Sequence, residues 1–446
     1  MEYIPKTVDE EKEMLKEIGV SSFEDLLNIP SEFRLSRPLS IPSPLPQMDL
    51  KKEMLNLSRK NTDLSTMVSF LGGGSYDHFI PSVVGHLISR SEFYTAYTPY
   101  QAEMSQGLLQ TIYEYQTMIC QLTGMEVSGA SLYDGASAMA EAALMAMRVT
   151  KRNKVLIAGT VHPHTREVVR TYLSGLPSAA LEEIEVDEGR LSLAELEDAI
   201  DNEVAAVLIQ HPNFFGQLEE VEAVETMIHK KGGLLVMSVD PISLGILRTP
   251  GEYHADIAVG EGQPMGNPIS FGGPYAGFFA TRPQMNRQMP GRIVGATSDT
   301  SGKKGYCLTL QTREQHIRRE RATSNICTNQ ALCALANTIY LASLGKVGLE
   351  EVSRLCLKKS HDAYQKITEI PGMTAPFGGP FFKEFVIKTP ISLSRVLKRL
   401  LRAGIFGGLD LGEYDRQWKD HLLVCVTEQH QTPEIDRLVA CLSVIA

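Results

Sequence analysis

The sequence predicts an α/β protein in which a large domain, built on a mostly parallel sheet, precedes a small α+β domain. Strand-like and helix-like segments alternate between residues 154 and 239, which is typical of a parallel sheet covered by helices. Residues from about 345 to 446 read as helix, strand, helix, strand and helix. We therefore expect an N-terminal extension at 1–62, a large domain at 63–330 and a small domain at 331–446.

The individual elements follow from short apolar runs, which predict strands, and from amphipathic spacing with capping signals, which predicts helices. The predicted strands are 128–133, 154–158, one within 179–186, 205–210, 234–239, 256–259, 277–281, 383–388 and 422–425. The main predicted helices are 49–61, 81–89, 103–122, one ending near 149, 163–175, 193–200, 218–231, 330–343, 348–370, 392–403 and 433–444, the last with Thr432 as its N-cap.

The N-terminal extension is predicted to be two short helices and a proline-rich segment. Thr7 and Glu10 have the spacing of a capping box that opens a helix ending near Ile18, and Ser22 opens a second helix that ends near Asn28. Four prolines follow within residues 38–46, which excludes a helix there. This segment is either an extended chain that lies along another surface or a solvated spacer.

The composition favours a cytoplasmic protein without nucleic-acid or membrane partners. The chain has 446 residues, a formal net charge of −10 and a pI of about 5.7, which argues against binding to nucleic acid or anionic membranes. The seven cysteines form no CxxC pair, which indicates reduced thiols, and the acidic N-terminus does not resemble a targeting segment. We expect no apolar run long enough to cross a membrane.

The stretch around Asp240 indicates a particular fold and a missing group. Asp240 ends the apolar run 234–239, as does the aspartate that pairs with the pyridinium nitrogen in type I pyridoxal phosphate (PLP) enzymes. In those enzymes a lysine about two dozen residues later forms the Schiff base. Here the residue 23 positions later is Gln263, and no lysine occurs between Lys231 and Lys303. The chain thus resembles the PLP-dependent transferase fold without its covalent anchor.

Other polar residues are predicted to lie at the carboxyl ends of the strands. The turn before the helix ending near 149 contains Ser137, where a helix N-terminus would hold a phosphate in PLP enzymes, although such a turn is more often only a good helix start. His162 and His211 follow strands, and a structural role for His211 is favoured over a catalytic one. We predict no metal site, since His162 and His164 have no third ligand at metal spacing.

Two further segments are candidates for contact with a partner. The loop 93–107 holds three tyrosines within seven residues, and tyrosine suits interfaces and ligand pockets, although a buried loop with bonded hydroxyls is an alternative. The segment 312–328 holds four arginines within nine residues, which fits an anion site, an acidic partner or simply a solvated helix. The candidate residues of these two segments are Tyr94, Tyr97, Tyr100, Gln101, Ser105, Arg313, Arg318 and Arg319.

Several motifs together resemble the P-protein family of the bacterial glycine cleavage system, in its first (α, N-terminal) half. The resemblance covers nearly the whole chain. The motifs are Tyr97-Thr98-Pro99-Tyr100-Gln101, Tyr133-Asp134-Gly135-Ala136, His211-Pro212-Asn213-Phe214-Phe215-Gly216, Phe271-Gly272-Gly273-Pro274, and the segment from Thr312 to Thr328.

The resemblance implies a division of labour between two subunits of the same fold. It implies that a second subunit carries PLP on a lysine, that the two assemble as α2β2, and that the complex decarboxylates glycine and passes the aminomethyl group to the lipoyl arm of the H-protein. It also implies no catalytic residue and no covalently bound cofactor in this chain, and it leaves Ser137, Asp240 and Gln263 as relict positions. We expect the tyrosine loop to face the partner's active site.

Two other functions remain open from the sequence. The first is a self-sufficient PLP enzyme whose lysine is displaced to Lys303 or Lys304, both in a polar loop far beyond the usual position. The second is a regulatory or scaffolding protein without a role in catalysis. If the catalytic activity of a partner subunit requires this chain, the P-protein interpretation holds; if it does not, the regulatory or scaffolding function is favoured.

Overall fold

The computed structural model describes residues 6–444 and divides the chain into two compact units, Met1–Thr62 and Asp63–Ala446. In the first unit, helix Val8–Ile18 begins with the predicted capping box between Thr7 and Glu10. The second predicted helix is only a short 3-10 turn, Phe23–Leu26, and a third helix spans Gln47–Ser58. The proline-rich residues 38–46 belong to neither a helix nor a strand.

A seven-stranded sheet forms the centre of the second unit. Its strands, in chain order, are β1 Val127–Ser128, β2 Lys154–Ala158, β3 Ala180–Ile184, β4 Val204–His211, β5 Leu234–Val239, β6 Ile257–Glu261 and β7 Gly277–Thr281. They lie in the order β1-β7-β6-β5-β4-β2-β3. The strands from β2 to β6 are parallel, while β7 runs antiparallel to both β6 and β1. The predicted mostly parallel sheet is confirmed.

Helices pack against this sheet and form the hydrophobic core of the large domain with it. Helix Gly135–Thr150 packs across the sheet through residues such as Met139 and Ala143, which are fully buried. Its alanines allow the helix backbone to approach the strands closely. The other helices of this part are Ser82–Ile88, Ser91–Tyr94, Gln106–Thr123, Pro163–Ser174, Leu193–Ala199, Val221–Lys230 and Gln315–Arg318.

The predicted strand 128–133 is wrong beyond Ser128. Ser131 has a φ of 112°, a backbone conformation that ends regular pairing, so only Val127–Ser128 forms a strand. The sequence analysis also missed an antiparallel hairpin, Ile293–Ser298 with Lys304–Thr309. Lys304, which the sequence analysis places in a polar loop, begins the second strand of this hairpin.

The C-terminal part has its own antiparallel sheet and its own core. Strands Glu384–Lys388, His421–Cys425 and Leu409–Asp410 form the sheet, and helices Leu393–Arg402 and Thr432–Ser443 accompany it. The last helix has Gln431 rather than the predicted Thr432 as N-cap. Phe385, Val424, Leu400 and Leu438 belong to this second core.

A long helix, Ala331–Thr368, connects the two cores. Gly345 has φ 58° and ψ −174°, so the backbone is not helical at that point, which agrees with the two predicted helices 330–343 and 348–370. By length and composition the helix is apolar enough to cross a membrane, contrary to our expectation. A buried core helix of a folded domain has the same length and composition, and Ala334, Leu335 and Tyr340 of this helix are buried in the protein.

Candidate functional site

A cavity of about 470 Å³ opens where β4, β5 and β6 end. Gln210, Asp240 and Glu261 line it from this edge of the sheet, as expected for a parallel α/β fold. The residues 73–76 and 382–384 line it as well. The cavity therefore lies between the large sheet and the start of the C-terminal sheet.

Asp240 faces a lysine that the sequence analysis did not select. The Nζ atom of Lys383 lies 2.7 Å from Oδ2 of Asp240, and the lysine is only 2% exposed. Burial is the largest single effect and by itself would lower the pKa of Lys383, but the charge of Asp240, the smaller contributions of Cys425 and Cys356 and the hydrogen bond to Asp240 together raise the pKa. The carboxylate that pairs with a pyridinium nitrogen in PLP enzymes is thus paired with an ammonium group of this chain.

The ammonium group of Lys383 also contacts His78 and the face of Tyr76. Nζ lies 3.0 Å from Nε2 of His78 and 3.5 Å from the centroid of the Tyr76 ring. Because an ammonium group can only donate, Nε2 accepts and Nδ1 carries the proton, which it donates to Glu428 at 2.6 Å. Lys383 is therefore held by Asp240, an imidazole and an aromatic ring.

The second anchor of a PLP enzyme, the helix N-terminus that binds phosphate, is occupied by Glu261. Its Oε2 accepts a hydrogen bond of 2.9 Å from the backbone N–H of Gly135, the first residue of helix Gly135–Thr150. Its Oε1 accepts from the N–H groups of Gln263 and Ala276. Burial raises the pKa of Glu261 to about 7 in spite of these bonds. A carboxyl group thus takes the place of an external anion.

The hydroxyl of Ser137 does not reach the cavity. Ser137 is the third residue of the helix, and its Oγ hydrogen-bonds to the backbone N–H and C=O of Asp134. The Asp134 side chain in turn accepts from the N–H of Ser137 at 2.7 Å. The pair is a capping box, so this serine serves the start of the helix.

Gln263, at the position of the missing lysine, is locked by backbone groups. Its Oε1 accepts from the N–H of Tyr76 at 2.9 Å, and its Nε2 donates to the carbonyls of Tyr76 and Asn267, each at 2.9 Å. The residue is 2% exposed. The amide thus holds the segment 73–76 against the loop that follows β6.

These residues do not fit PLP. Each of the three anchors, which are the pyridinium partner, the phosphate cup and the Schiff-base position, is engaged by a side chain of this chain. Asp134 and Glu384 join Asp240 and Glu261 in the lining, and its lysine, Lys383, is already paired with Asp240. Among the described residues, the lining therefore offers no unpaired lysine or arginine to a negatively charged phosphate ester.

Glu384 and the motif 211–216 explain the tight packing at this cavity. Glu384 accepts from the N–H of Gly73 at 2.7 Å and from the hydroxyl of Tyr76 at 2.8 Å. Gly216 has φ +82°, and a Cβ atom there would lie 2.0 Å from the carbonyl oxygen of Glu384. Asn213 fixes this turn by accepting from the N–H groups of Phe215 and Gln217. The motif therefore positions Glu384 rather than a reacting group.

The tyrosine loop presents its rings to solvent. Tyr94, Tyr97 and Tyr100 are 66%, 72% and 69% exposed. Gln101 is also exposed, and Ser105 is half-buried just before helix Gln106–Thr123. The alternative of a buried loop with bonded hydroxyls does not hold for these three rings.

Arg292 ties the tyrosine loop to the rim of the cavity. Its guanidinium group contacts the Thr98 hydroxyl at 3.4 Å and the Cys327 carbonyl at 2.8 Å. The N–H of Cys327 donates to the Tyr133 hydroxyl at 3.0 Å, and Tyr133 lines the cavity. Loop and cavity therefore belong to one surface region.

The four arginines of the segment 312–328 differ in their surroundings. Arg313 is buried, at 9% exposure, and donates through Nη1 to the Met289 carbonyl. Arg318, Arg319 and Arg321 are exposed, and Arg319 has a φ of 51°. None of the four lines the cavity beside Asp240.

Two histidines that follow strands, the half-buried His162 and the buried His211, are held in the neutral form. His162 lines the cavity and accepts at Nδ1 from the N–H of His164, while His211 accepts at Nδ1 from the N–H of Glu219. Burial lowers the pKa of each imidazole to about 4. A second proton on Nδ1 would face a donor, so these rings act in structural hydrogen bonds.

His211→Asn is expected to remove one source of acid sensitivity. The unfolded imidazole takes up a proton below its ordinary pKa of 6.5, whereas the folded one does so only near 4, so its contribution to stability is lost as the pH falls through that interval. The stability advantage of the wild type over the variant should shrink by about 1.4 kcal/mol per pH unit in this window. Urea unfolding from pH 7.5 to pH 4 measures this; an unchanged difference would contradict it.

Sequence reasoning missed Lys383, Glu261 and Tyr76. One signal was available, because Lys383 and Glu384 interrupt the apolar run from Phe381 to Ile387, and buried charges inside such a run need partners. No local pattern marks Glu261 or Tyr76. Their partners come from distant parts of the chain.

Comparisons with known proteins agree with this geometry. The family model of the glycine cleavage system P-protein matches residues 1–442. The "Probable glycine dehydrogenase (decarboxylating) subunit 1" of Desulfitobacterium hafniense is 55% identical over 442 residues, with 99% of both chains covered. The protein of the same name from Carboxydothermus hydrogenoformans is 53% identical over 443 residues, again with 99% of both covered.

Solved structures are similar to this chain either in both sequence and fold or in fold alone. A crystal structure of glycine decarboxylase (P-protein) of the glycine cleavage system, in inhibitor-bound form, has a TM-score of 0.91 and 42% identity, with 100% of both chains covered. A NifS-like protein has a TM-score of 0.65 at 14% identity, covering 85% of this chain and 99% of its own, which shows the fold alone. The chain belongs to the glycine cleavage system P-protein family.

Proposed function

We propose that this chain is the subunit of a two-subunit glycine decarboxylase that lacks the Schiff-base lysine. Together with a second subunit of the same fold, which carries PLP, it decarboxylates glycine and transfers the aminomethyl group to the lipoyl arm of the H-protein. PLP supplies the electron sink for the carbanion left by loss of CO2. The assembly is α2β2 and cytoplasmic, and it needs neither nucleic acid nor a membrane.

The observation that carries this proposal is the ion pair between Lys383 and Asp240. A buried ammonium group that satisfies the aspartate, 2.7 Å away, leaves no partner for a pyridinium nitrogen. The engagement of Gly135 by Glu261 gives independent support, since it fills the phosphate cup. Both observations support a second subunit as the carrier of the cofactor.

We further propose roles for the two exposed segments. The loop with Tyr94, Tyr97, Tyr100, Gln101 and Ser105 faces the partner's active site, where large aromatic area excludes water. The outer arginines, Arg318 and Arg319, together with the segment anchored by Arg313, support the subunit interface or the docking of the H-protein. Both proposals follow from exposure and composition.

A stand-alone PLP enzyme is disfavoured by the position of its candidate lysines. Lys303 and Lys304 lie at the exposed tip of the hairpin, and neither lines the cavity beside Asp240. Lys304 instead lies 5.7 Å from the ring centroid of Tyr113 and 5.2 Å from that of Tyr306. A regulatory protein without a catalytic role is separated from our proposal by the activity assay below.

Reductive labelling of the assembled complex tests the proposal. The purified complex is treated with PLP and borohydride, labelled lysines are located by mass spectrometry, and CO2 release from glycine is measured with and without this chain. We expect a stoichiometric label on the second subunit alone, and activity only when both subunits are present. A stoichiometric label on Lys383, Lys303 or Lys304 would overturn the proposal, as would full activity of the second subunit by itself.

A further inference from the structure

A second, smaller cavity lies under the arginine-rich segment, apart from the site described above. Its volume is about 260 Å³. It is lined by Arg287, Gln288, Leu310, Thr312, Arg313, Arg318, Arg321 and Thr323. Four guanidinium groups thus share one small space, with two hydroxyl groups and an amide as further hydrogen-bond donors.

The buried arginine of this cavity is incompletely bonded. Arg313 uses Nη1 for the Met289 carbonyl, but its Nε and Nη2 are buried and make no hydrogen bond with any described residue. Buried donors of this kind are rare in folded proteins, because each loses its bonds to water without replacement. The cost is larger for a charged group. The unpaired nitrogens therefore indicate that a further acceptor belongs here.

The chain itself supplies little negative charge to this space. No carboxylate lines the cavity among the described residues, and of the four arginines only Arg321 has one within 4.0 Å, namely Glu320 at 3.9 Å. Glu314 lies outside the lining; burial lowers the pKa of Arg313, and the charge of Glu314 offsets this only in part. The Oε1 atom of Glu314 is itself buried without a partner among the described residues. The described lining therefore carries four arginines and no carboxylate of its own.

The backbone around the cavity is held in an unusual shape that keeps these side chains together. Leu310 and Arg319 have positive φ values of 54° and 51°, which are uncommon for residues other than glycine. Arg318 donates through Nε to the Thr312 carbonyl at 3.0 Å, and the N–H of Thr323 donates to the Arg313 carbonyl at 2.9 Å. The segment folds back on itself over the cavity.

We propose that this cavity binds a phosphate-type oxyanion. Several forked guanidinium groups without a balancing carboxylate suit a tetrahedral dianion better than a single carboxylate, since its oxygens can accept from several arginines at once. The anion pairs the free nitrogens of Arg313 and links that buried residue to Arg318 and Arg321. It thereby orders the segment 312–323, whose outer side carries Arg319. The site shares Arg318 with the proposed interface segment but does not depend on the decarboxylase proposal.

Titration of the assembled holoenzyme with inorganic phosphate tests this inference. Calorimetry at constant ionic strength, balanced with sodium chloride, should show saturable binding to the wild-type complex. The variant Arg318→Gln/Arg321→Gln changes only exposed side chains and should weaken phosphate binding about tenfold or more, because two charge-assisted contacts are lost. A control variant, Arg248→Gln/Arg354→Gln, removes two exposed arginines that pair with Glu222 and Glu350 and should leave phosphate binding unchanged.

Two results would overturn the inference, and neither depends on catalysis. One is equal phosphate binding by the wild type and by Arg318→Gln/Arg321→Gln, which would assign the anion to another place, such as the cofactor pocket of the second subunit. The other is the absence of saturable phosphate binding by the wild-type complex. Weaker subunit association in Arg318→Gln/Arg321→Gln would then show that the arginines contact a protein surface instead.

Discussion

Replacing Lys383 with methionine is expected to destabilise the protein by about 3–5 kcal/mol, because it removes one partner of a buried ion pair. Methionine preserves much of the side-chain volume, so the loss is mainly electrostatic. Asp240 would remain largely buried without its ammonium partner, and Nε2 of His78 would lose its donor. The acidic groups around the cavity would then face one another without a cation.

Urea unfolding at pH 7.5 measures this effect, with Lys388→Met as the matched control. Lys388 lies on the same C-terminal segment but is exposed, so its replacement should change the free energy of unfolding by less than about 0.5 kcal/mol. The double variant Lys383→Met/Asp240→Asn should be less unstable than the sum of the two single changes, since each single change leaves the other charge unpaired. Equal losses in the Lys383 and Lys388 variants would show that the buried pair is unimportant.

The second large effect is expected for Tyr97→Ala/Tyr100→Ala in the decarboxylase assay of the complex. Aromatic residues that fill a pocket of a partner often contribute about 2 kcal/mol or more each, so we expect activity at limiting subunit concentration to fall by about several hundredfold when both rings are removed and their contributions add. Both rings are exposed in this chain, so the change should not alter its own stability. Carbon dioxide release from glycine measures the effect, and analytical ultracentrifugation of the same samples follows assembly.

Two control variants distinguish the loss of a specific contact with the partner from the general effect of removing an exposed apolar side chain. Tyr97→Phe/Tyr100→Phe keeps the ring area and should retain most of the activity if the rings act by packing. Val347→Ala removes an exposed apolar side chain from the long helix and should have no effect on either readout. If Tyr97→Ala/Tyr100→Ala assembles and decarboxylates like the wild type, the loop does not face the partner's active site.

Local signals in the sequence were sufficient to predict most of the helices and strands in their order. They also showed that the Schiff-base lysine is missing. The capping box of Thr7 and Glu10 and the strand Gly277–Thr281 are confirmed, because each depends on neighbours within a few residues. The missing lysine follows from counting residues after Asp240 and needs no structure. The motifs of the family were sufficient to indicate the P-protein, which the comparisons then showed.

Tertiary structure alone decided what fills the cavity. Tyr76 and Glu384 are 308 residues apart, and Lys383 meets Asp240 only because the C-terminal sheet packs against the end of β5. Glu261 accepts a hydrogen bond from the N–H of Gly135 across 126 residues. Such pairs form when strands and helices are brought together in three dimensions, so no periodicity along the chain records them. The sequence therefore showed that one anchor was lost, while the fold showed that the other two are occupied by the protein itself.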